Sequence, residues 1–417
     1  MTYGRNPQID HDIDWVIDED GNVLGYQRDL RSFAPIVSLS ADTGLITNAA
    51  QRAAVGEAAG GAQSPYYISK LLSKTGRWAT ALNSGAAAPR VLICGDSTGV
   101  GFGNSSTLTD WRPLGVSKLL ADALTSAGKP VQSYQNFFGS GYDVAAQIYS
   151  VDSRLSITGS VPITATKSLG GQQPLMTSGN AITFTPGGTF DTVDIYWYGY
   201  SGAGSFAVTS NLGSHGTINQ SNATSIAGKT TISLGGNATY ITLTGASGNA
   251  TPAGVDCYNA SSKSIRILNG SFGGAKSADF ADVSAPYASV GMIAKVDADL
   301  EIVDLGINDW VTAVSVETYA ANLYTRINAS KAVRDVIVMT PYASRASSVS
   351  AATQAPYLDV AAGICSLLGV TLVDKRRVLG NWEGLNAAGG MYDTYHPKAN
   401  TYAAAMSLLA KAMTTFA

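Results

Sequence analysis

Five short apolar runs limit what this chain can fold into. They are Arg90-Val-Leu-Ile-Cys, Ile265-Arg-Ile-Leu-Asn, Leu300-Glu-Ile-Val-Asp-Leu, Val336-Ile-Val-Met-Thr and Val370-Thr-Leu-Val-Asp. Each is strand-sized and rich in β-branched residues, and each reads as a strand covered on both faces. Helix-like segments lie between them, at 113–127, 316–332 and 355–368. This alternation predicts an α/β domain with a parallel sheet between two helical layers. Sites in such sheets form at the strand tips, so the residues that follow each run matter most.

The pattern is interrupted between about 151 and 263. There the segments alternate: Ala181-Ile-Thr-Phe-Thr, Thr192-Val-Asp-Ile-Tyr-Trp-Tyr, Ser205-Phe-Ala-Val-Thr, Thr230-Thr-Ile-Ser-Leu and Tyr240-Ile-Thr-Leu-Thr. Gly, Asn and Ser turns part them, and the spacing suits an antiparallel β-sandwich. The chain therefore divides into an N-terminal segment at 1–85, a first part of the α/β domain at 86–150, an inserted sandwich at 151–263 and a second part at 264–417. In the N-terminal segment, apolar stretches on both sides of Asp20-Gly-Asn predict a β-hairpin. Ile68, Leu71, Leu72, Trp78 and Leu82 then fall close to helical spacing and predict one amphipathic helix. The acidic run before Gly21 lacks alternating ligands and a closing Glu, so it does not read as a calcium loop.

Composition excludes several classes. Hydrophobic residues are 45% and charged residues 14%, enough apolar surface for a sizeable core and unlike a largely disordered chain. A formal net charge of -3 offers no broad attraction to nucleic acid or an anionic membrane. No apolar run is long enough to span a membrane, and residues 1–14 are polar, without a signal-peptide core. Cys94, Cys257 and Cys365 are too few and too scattered for a disulfide scaffold or a zinc site, and are expected as buried free thiols.

Histidine is scarce: only His11, His215 and His396 occur. A serine nucleophile needs a base near neutral pH, and histidine is the usual one. His11 lies in the polar N-terminus and His215 in a Gly-Ser-His-Gly turn. His396 stands in Tyr392-Asp-Thr-Tyr-His-Pro, three residues after Asp393, which could orient its ring. Ser97 follows the first apolar run in Gly95-Asp-Ser-Thr-Gly, where a tight turn into a helix can present a hydroxyl at the sheet edge. The glycines that follow, Gly99-Val-Gly-Phe-Gly, are spaced G-x-G-x-G and not as a dinucleotide loop. Asn308, in Leu305-Gly-Ile-Asn-Asp-Trp, offers a side-chain amide at another strand tip. Leu268-Asn-Gly-Ser-Phe-Gly-Gly offers bare backbone N–H groups at a third. Alone, each of these is more often an ordinary turn.

Together, in this order, the pieces resemble the SGNH, or GDSL-like, hydrolase family. Gly95-Asp96-Ser97 matches its first block, Gly306-x-Asn308-Asp309 its third and Asp393-x-x-His396 its last. The match covers roughly 88–130 and 264–417, with Thr98 where the family often carries leucine. The resemblance implies a three-layer, flavodoxin-like α/β/α domain and a carboxylic ester hydrolase. Ser97 would be the nucleophile, His396 its base and Asp393 the orienting acid. The oxyanion would be held by the Ser97 N–H, the Gly274 N–H and the Asn308 amide. For the second-block glycine Gly274 is preferred and Gly141, in Asn136-Phe-Phe-Gly-Ser-Gly, is the alternative. No metal or organic cofactor is implied.

The family spans lipases, thioesterases and carbohydrate acetylesterases. The run Tyr196, Trp197, Tyr198 and Tyr200 carries rings of the kind that stack on sugars, although its alternating members read more readily as core, and no long apolar lid segment is evident. The expected partner is therefore an acetylated polysaccharide, with no nucleic acid and no membrane. The segment around 16–25 is similar to segments that precede hydrolase domains in phage tail proteins. An extracellular or virion-associated enzyme, attached to a virion or to its own copies through the N-terminal segment, is the matching expectation. The alternatives are a lipid or short-chain acyl esterase and a non-catalytic tail receptor-binding protein on a hydrolase scaffold.

Overall fold

The computed structural model describes residues 2–5, 13–17, 23–28, 68–142, 149, 151–345 and 350–416. The chain forms two compact units, 1–56 and 57–417. In the first, β1 (Thr2–Arg5), β2 (Ile13–Ile17) and β3 (Val23–Arg28) make an antiparallel sheet with β2 in the middle. The β2–β3 pair flanks the expected hairpin turn. That turn, the acidic run beside it and His11 lie outside the described residues.

The second unit begins with a correction. The expected helix over 68–82 is only α1 (Arg77–Ser84). Ile68 and Leu72 instead make isolated β-bridges to Val373 and Phe416. The break falls at Gly76, whose extended backbone lies against Asp335, and the Asp335 carboxylate accepts the Trp78 N–H at 2.9 Å. Local spacing missed this because a chain-distant acid fixes where the helix starts.

The α/β domain opens with β4 (Arg90–Gly95), α2 (Ser97–Val100), α3 (Trp111–Leu114), α4 (Val116–Ser126) and β5 (Val131–Ser133). The chain leaves through β6 (Asn136–Phe138), β7 (Leu155–Thr158), β8 (Ile163–Ser168), β9 (Gly171–Pro174) and β10 (Ala181–Phe184). It continues through β11 (Phe190–Gly199), β12 (Ser205–Ser210), β13 (Gly213–Asn219), β14 (Ile226–Ala238), β15 (Ile241–Ser247) and β16 (Pro252–Tyr258). It returns with β17 (Ile265–Asn269), α5 (Ser277–Ala281), α6 (Ser289–Lys295), β18 (Leu300–Asp304), α7 (Ile307–Val311) and α8 (Val316–Lys331). Then come β19 (Asp335–Met339), α9 (Ala351–Leu368), β20 (Thr371–Val373), α10 (Lys375–Leu379), α11 (Trp382–Ala387) and α12 (Ala399–Thr414).

The parallel sheet runs β20-β19-β18-β4-β17-β5. Leaving aside the short edge strand β5, this is the 2-1-3-4-5 order of flavodoxin-like sheets. All five residues of β17 and of β18 are buried, which requires cover on both faces. The cover comes from two helical groups: α4 packs on α12, and α8 packs on α5 and α9. Each buried Leu, Ile or Val in these strands contributes about 1.5–3 kcal/mol through removal from water.

Besides the short β8-β9 pair, two larger antiparallel sheets lie outside this one, β14-β11-β16-β6 and β13-β12-β15-β10-β7. They share one apolar cluster that includes Phe137, Phe184, Ile195, Phe206, Leu243 and Val255. Strand β12 alternates buried and half-buried residues as its sequence suggests. Strand β11 is buried along most of its length, because its second face meets the α/β domain. There Arg266 of β17 reaches Asp194 at 3.2 Å and also pairs with Asp256, while its guanidinium sits 3.4 Å from the centre of the Tyr258 ring. For the alternating members of the aromatic run the core reading holds over the sugar-stacking one. Tyr196 and Tyr198 are buried, Tyr198 stacks on Tyr287 at 4.9 Å, and Trp197 packs against the apolar cluster. Tyr200 is half-buried beside Tyr198.

Cys94, Cys257 and Cys365 are free and buried. Among the described residues no helix is long and apolar enough to cross a membrane.

Candidate active site

Strand β4 ends at Gly95, and Asp96 caps the short helix that follows. Its Oδ1 accepts the Thr98 N–H and the Thr98 hydroxyl, both at 2.8 Å. The departure from leucine at Thr98 is thereby accommodated: the hydroxyl is buried but satisfied. The cap turns the chain at the sheet edge, so that Ser97 is the first helical residue and its side chain leaves the strand tip.

The base arrives from the other end of the domain. His396 Nε2 lies 2.8 Å from Ser97 Oγ, and His396 Nδ1 lies 2.8 Å from Asp393 Oδ2. The loop carrying the pair is clasped by its own backbone, with the Tyr392 N–H donating to the His396 carbonyl at 2.8 Å and a bridge between Met391 and Pro397. The Arg345 N–H holds the Thr394 carbonyl at 2.8 Å, and Trp382 Nε1 donates to the Asp393 carbonyl at 3.3 Å. Asp393 Oδ1 also accepts the N–H groups of Tyr395 and His396, each at 2.7 Å. Partial burial alone would raise the Asp393 carboxyl. The His396 ring and these backbone donors outweigh it and hold the group below its ordinary range. The acid is therefore kept as a carboxylate, the form that can orient an imidazole and stabilise its charged state.

One glycine of the run after Ser97 serves this docking. Gly103 has φ +88°, and a β-carbon there would lie 2.7 Å from both the Pro397 carbonyl oxygen and Tyr392 Cβ. Gly103 thus seats the histidine loop, whereas Gly99 lies against Ser271 and Gly101 against Gly115.

The strands on either side of β4 supply the rest. Gly274, with φ +83°, follows β17, and Asn308 follows β18 on α7. Ser97, Gly274, Asn308 and His396 line one cleft of about 170 Å³, walled by Phe102, Tyr142, Ile307, Val311 and Tyr395. Asn308 donates one amide hydrogen to the Ala275 carbonyl at 2.9 Å, which fixes the amide and leaves its second hydrogen for the cleft. Gly141 is placed differently. Its N–H donates to the Gly170 carbonyl at 2.9 Å and its carbonyl accepts the Gly273 N–H at 3.0 Å, so it supports the Gly274 loop from beneath. His215 lies at the β12–β13 hairpin, 2.7 Å from Ser210 Oγ and away from this cleft.

Two supporting residues stand inside the sequence motifs but were assigned no role there. Asn269, at the tip of β17, donates to the Gly99 carbonyl at 2.9 Å and to Ser117 Oγ at 3.1 Å, tying the Ser97 helix to β17 and α4. Asp309 is fully buried and accepts the Ser277 N–H at 3.0 Å and the Ser277 hydroxyl at 2.6 Å, tying the Asn308 turn to the segment after Gly274. Their adjacency to motif residues was the available signal. Their partners, 32 to 170 positions away, were not visible from spacing.

No family model matches the chain, and no curated protein matches it. Among solved structures it is similar to a peptidoglycan O-acetylesterase at 14% identity and TM-score 0.61, over 83% of this chain and 97% of that one. Two further likenesses are an acetyl-xylooligosaccharide esterase from Geobacillus stearothermophilus and a lipolytic protein of the G-D-S-L family from Desulfitobacterium hafniense. The first has 20% identity, 37% and 74% coverage and TM-score 0.31; the second has 13%, 36% and 81%, and 0.30. The first of the three likenesses is one of fold.

Proposed function

We propose that this chain, which has the fold of an SGNH-type hydrolase, is a serine esterase that removes O-acetyl groups from a polysaccharide. One observation carries the reading: Ser97, His396 and Asp393 form an unbroken hydrogen-bonded series that opens on the cleft shared by Gly274 and Asn308. In this reading Ser97 Oγ attacks the ester carbonyl while His396 Nε2 takes its proton. The charge on the carbonyl oxygen is met by the Ser97 N–H, the Gly274 N–H and the free hydrogen of the Asn308 amide. The alcohol leaves with the proton from His396, and water activated by the same ring then hydrolyses the acyl-enzyme.

The size of the cleft supports a short acyl group. It holds about 170 Å³, whereas sites for drug-sized ligands run to roughly 300–1,000 Å³. Tyr392, about half exposed, stands beside the histidine loop and meets Trp111 edge-on, a ring available to a sugar where the buried β11 aromatics are not. The unit formed by β1–β3 is read as an attachment segment, to a virion or to a second copy. The two antiparallel sheets are read as an inserted β-sandwich. Deleting 1–56 should leave esterase turnover within a few-fold while abolishing attachment.

The test is acetate release from acetylated bacterial surface polysaccharides by the parent chain and by Ser97→Ala, with acetyl and long-chain p-nitrophenyl esters in parallel. Release by the parent alone, with preference for acetyl, is expected. Faster turnover of long-chain esters would point to a lipid esterase, and no turnover at all to a passive binding scaffold. Asn308→Ala is expected to lower kcat by about 10²–10³-fold, the usual cost of one oxyanion donor. Circular dichroism should show the fold retained, because Asn308 contributes only one internal side-chain hydrogen bond.

A further inference from the structure

Behind the Ser97 turn lies a buried group of charges that the proton relay does not use. Asp96 is 1% exposed. Its Oδ1 accepts both Thr98 hydrogen bonds, and its Oδ2 has no partner. The Asp96 N–H donates to the Asp304 carbonyl at 3.3 Å, joining the tips of β4 and β18 at this residue. The Asp304 carboxylate is buried as well, and its two oxygens accept from Lys375 Nζ at 2.9 and 2.7 Å. Lys375 is fully buried at the start of α10, with its ammonium 3.8 Å from the centre of the Tyr342 ring. The Lys375 N–H donates to Thr340 Oγ1 at 2.9 Å, which fixes where the side chain begins.

The groups around the Asp96 carboxyl come from every element packed on it. They are Thr98 on α2, Asp304 on β18, Lys375 on α10, and the phenols of Tyr319, Tyr342 and Tyr402. Two carboxyls thus face one ammonium in a place that water does not reach.

We propose that Lys375 is a positioning residue for the nucleophile: its buried ammonium offsets the charge of Asp304 and Asp96 and so holds the turn that presents Ser97. This role rests on the reading of Ser97 as nucleophile. Buried like charges repel strongly in a low dielectric, and an acid whose partner is removed resists ionisation or disrupts its surroundings. With Lys375 present, Asp304 has a two-point contact and Asp96 is the single surplus acid. Burial first, then the Asp304 charge, pushes the Asp96 carboxyl up to about 7. The folded chain therefore keeps this proton to higher pH than the unfolded chain does. Stability falls as pH rises from the ordinary carboxylate range through about 7. Without the ammonium, both acids resist ionisation further, and the turn is held only while they stay neutral.

The experiment is kcat, KM and melting temperature from about pH 5 to 9 for the parent, Lys375→Met and Asp96→Asn/Lys375→Met, with p-nitrophenyl acetate as substrate. Lys375→Met should follow the parental kcat profile at low pH and fall about tenfold below it from roughly pH 7 to 9, where the acids are forced to ionise without a counter-charge, the rate equivalent of one pKa unit. KM should stay within a few-fold, and melting temperature should fall more steeply over the same window. Adding Asp96→Asn should remove most of that extra pH dependence, whatever the absolute rate. A parental profile in Lys375→Met overturns the proposal. So does a deficit of equal size at every pH, which packing alone would produce. If Lys375→Met does not fold, Asp96→Asn alone decides: its melting temperature must vary less with pH than the parent's, and equal variation overturns the role. A parent without esterase turnover sinks the nucleophile reading alone, because the melting series needs no catalysis.

Discussion

Purified Ser97→Ala is expected to hydrolyse p-nitrophenyl acetate on the order of 10⁵-fold more slowly than the parent, with an unchanged circular dichroism spectrum. The loss is expected to be large because, in the proposed mechanism, the hydroxyl is the group that forms the covalent bond. The remaining donors can polarise a carbonyl but cannot attack it. His396→Ala should fall to a similar level, since a serine without its base is a poor nucleophile at neutral pH. The double variant should be hardly slower than either single one, because the two side chains act as a unit through their 2.8 Å hydrogen bond. The protein should stay folded in both: Ser97 Oγ contacts His396, and the fold is held elsewhere. Ser97→Ala retaining more than a few per cent of parental activity would end the assignment.

The largest effect on stability should come from the core of the α/β domain. Glu301 on β18 is fully buried and pairs with Arg326 of α8 through two hydrogen bonds, the Nε contact at 2.8 Å. Ser330 Oγ donates to the same carboxylate at 2.6 Å, and Arg334 lies 3.8 Å away. Arg326→Met removes the principal cation and leaves a buried acid with too few partners. A loss of about 3–5 kcal/mol is expected from urea denaturation. Replacing both partners, as in Glu301→Leu/Arg326→Met, should recover at least half of it, because apolar side chains of similar volume tolerate the site. A single variant within about 1 kcal/mol of the parent would show that Arg334 and Ser330 suffice to hold the charge.

What could be read from sequence follows the range of the forces involved. The parallel strands β4, β17, β18, β19 and β20 were legible because burial on both faces leaves a mostly apolar run, interrupted in β17 and β18 only by a few polar or charged residues such as Arg266 and Glu301. Strands β12 and β15 were legible because one face of each stays wetter than the other. Ser97, Asn308, Asp393 and His396 were legible as candidates because each sits in a short turn whose chemistry is written within a few residues. What was not legible depends on chain-distant partners. The start of α1 is set by Asp335, whose carboxylate accepts the Trp78 N–H. Gly141 and Gly274 are alike in sequence and both have positive φ. Their placement differs only in three dimensions: Gly274 lines the cleft, while the Gly141 N–H is taken by the Gly170 carbonyl.

The seat that the Ser97 helix offers to the histidine loop has a consequence for how the protein acquires activity. Ser97 and His396 are 299 residues apart, Tyr402 closes on the Phe102 carbonyl across 300, and Trp78 Nε1 reaches the Met413 carbonyl across 335. Contacts this distant in sequence form late, after shorter loops have closed. A refolding chain should therefore regain its far-ultraviolet signal before its turnover, and a ribosome-bound chain not yet extended past the histidine loop should carry a folded sheet with an inert serine. On the proposed reading, hydrolysis is then expected only once α12 has docked.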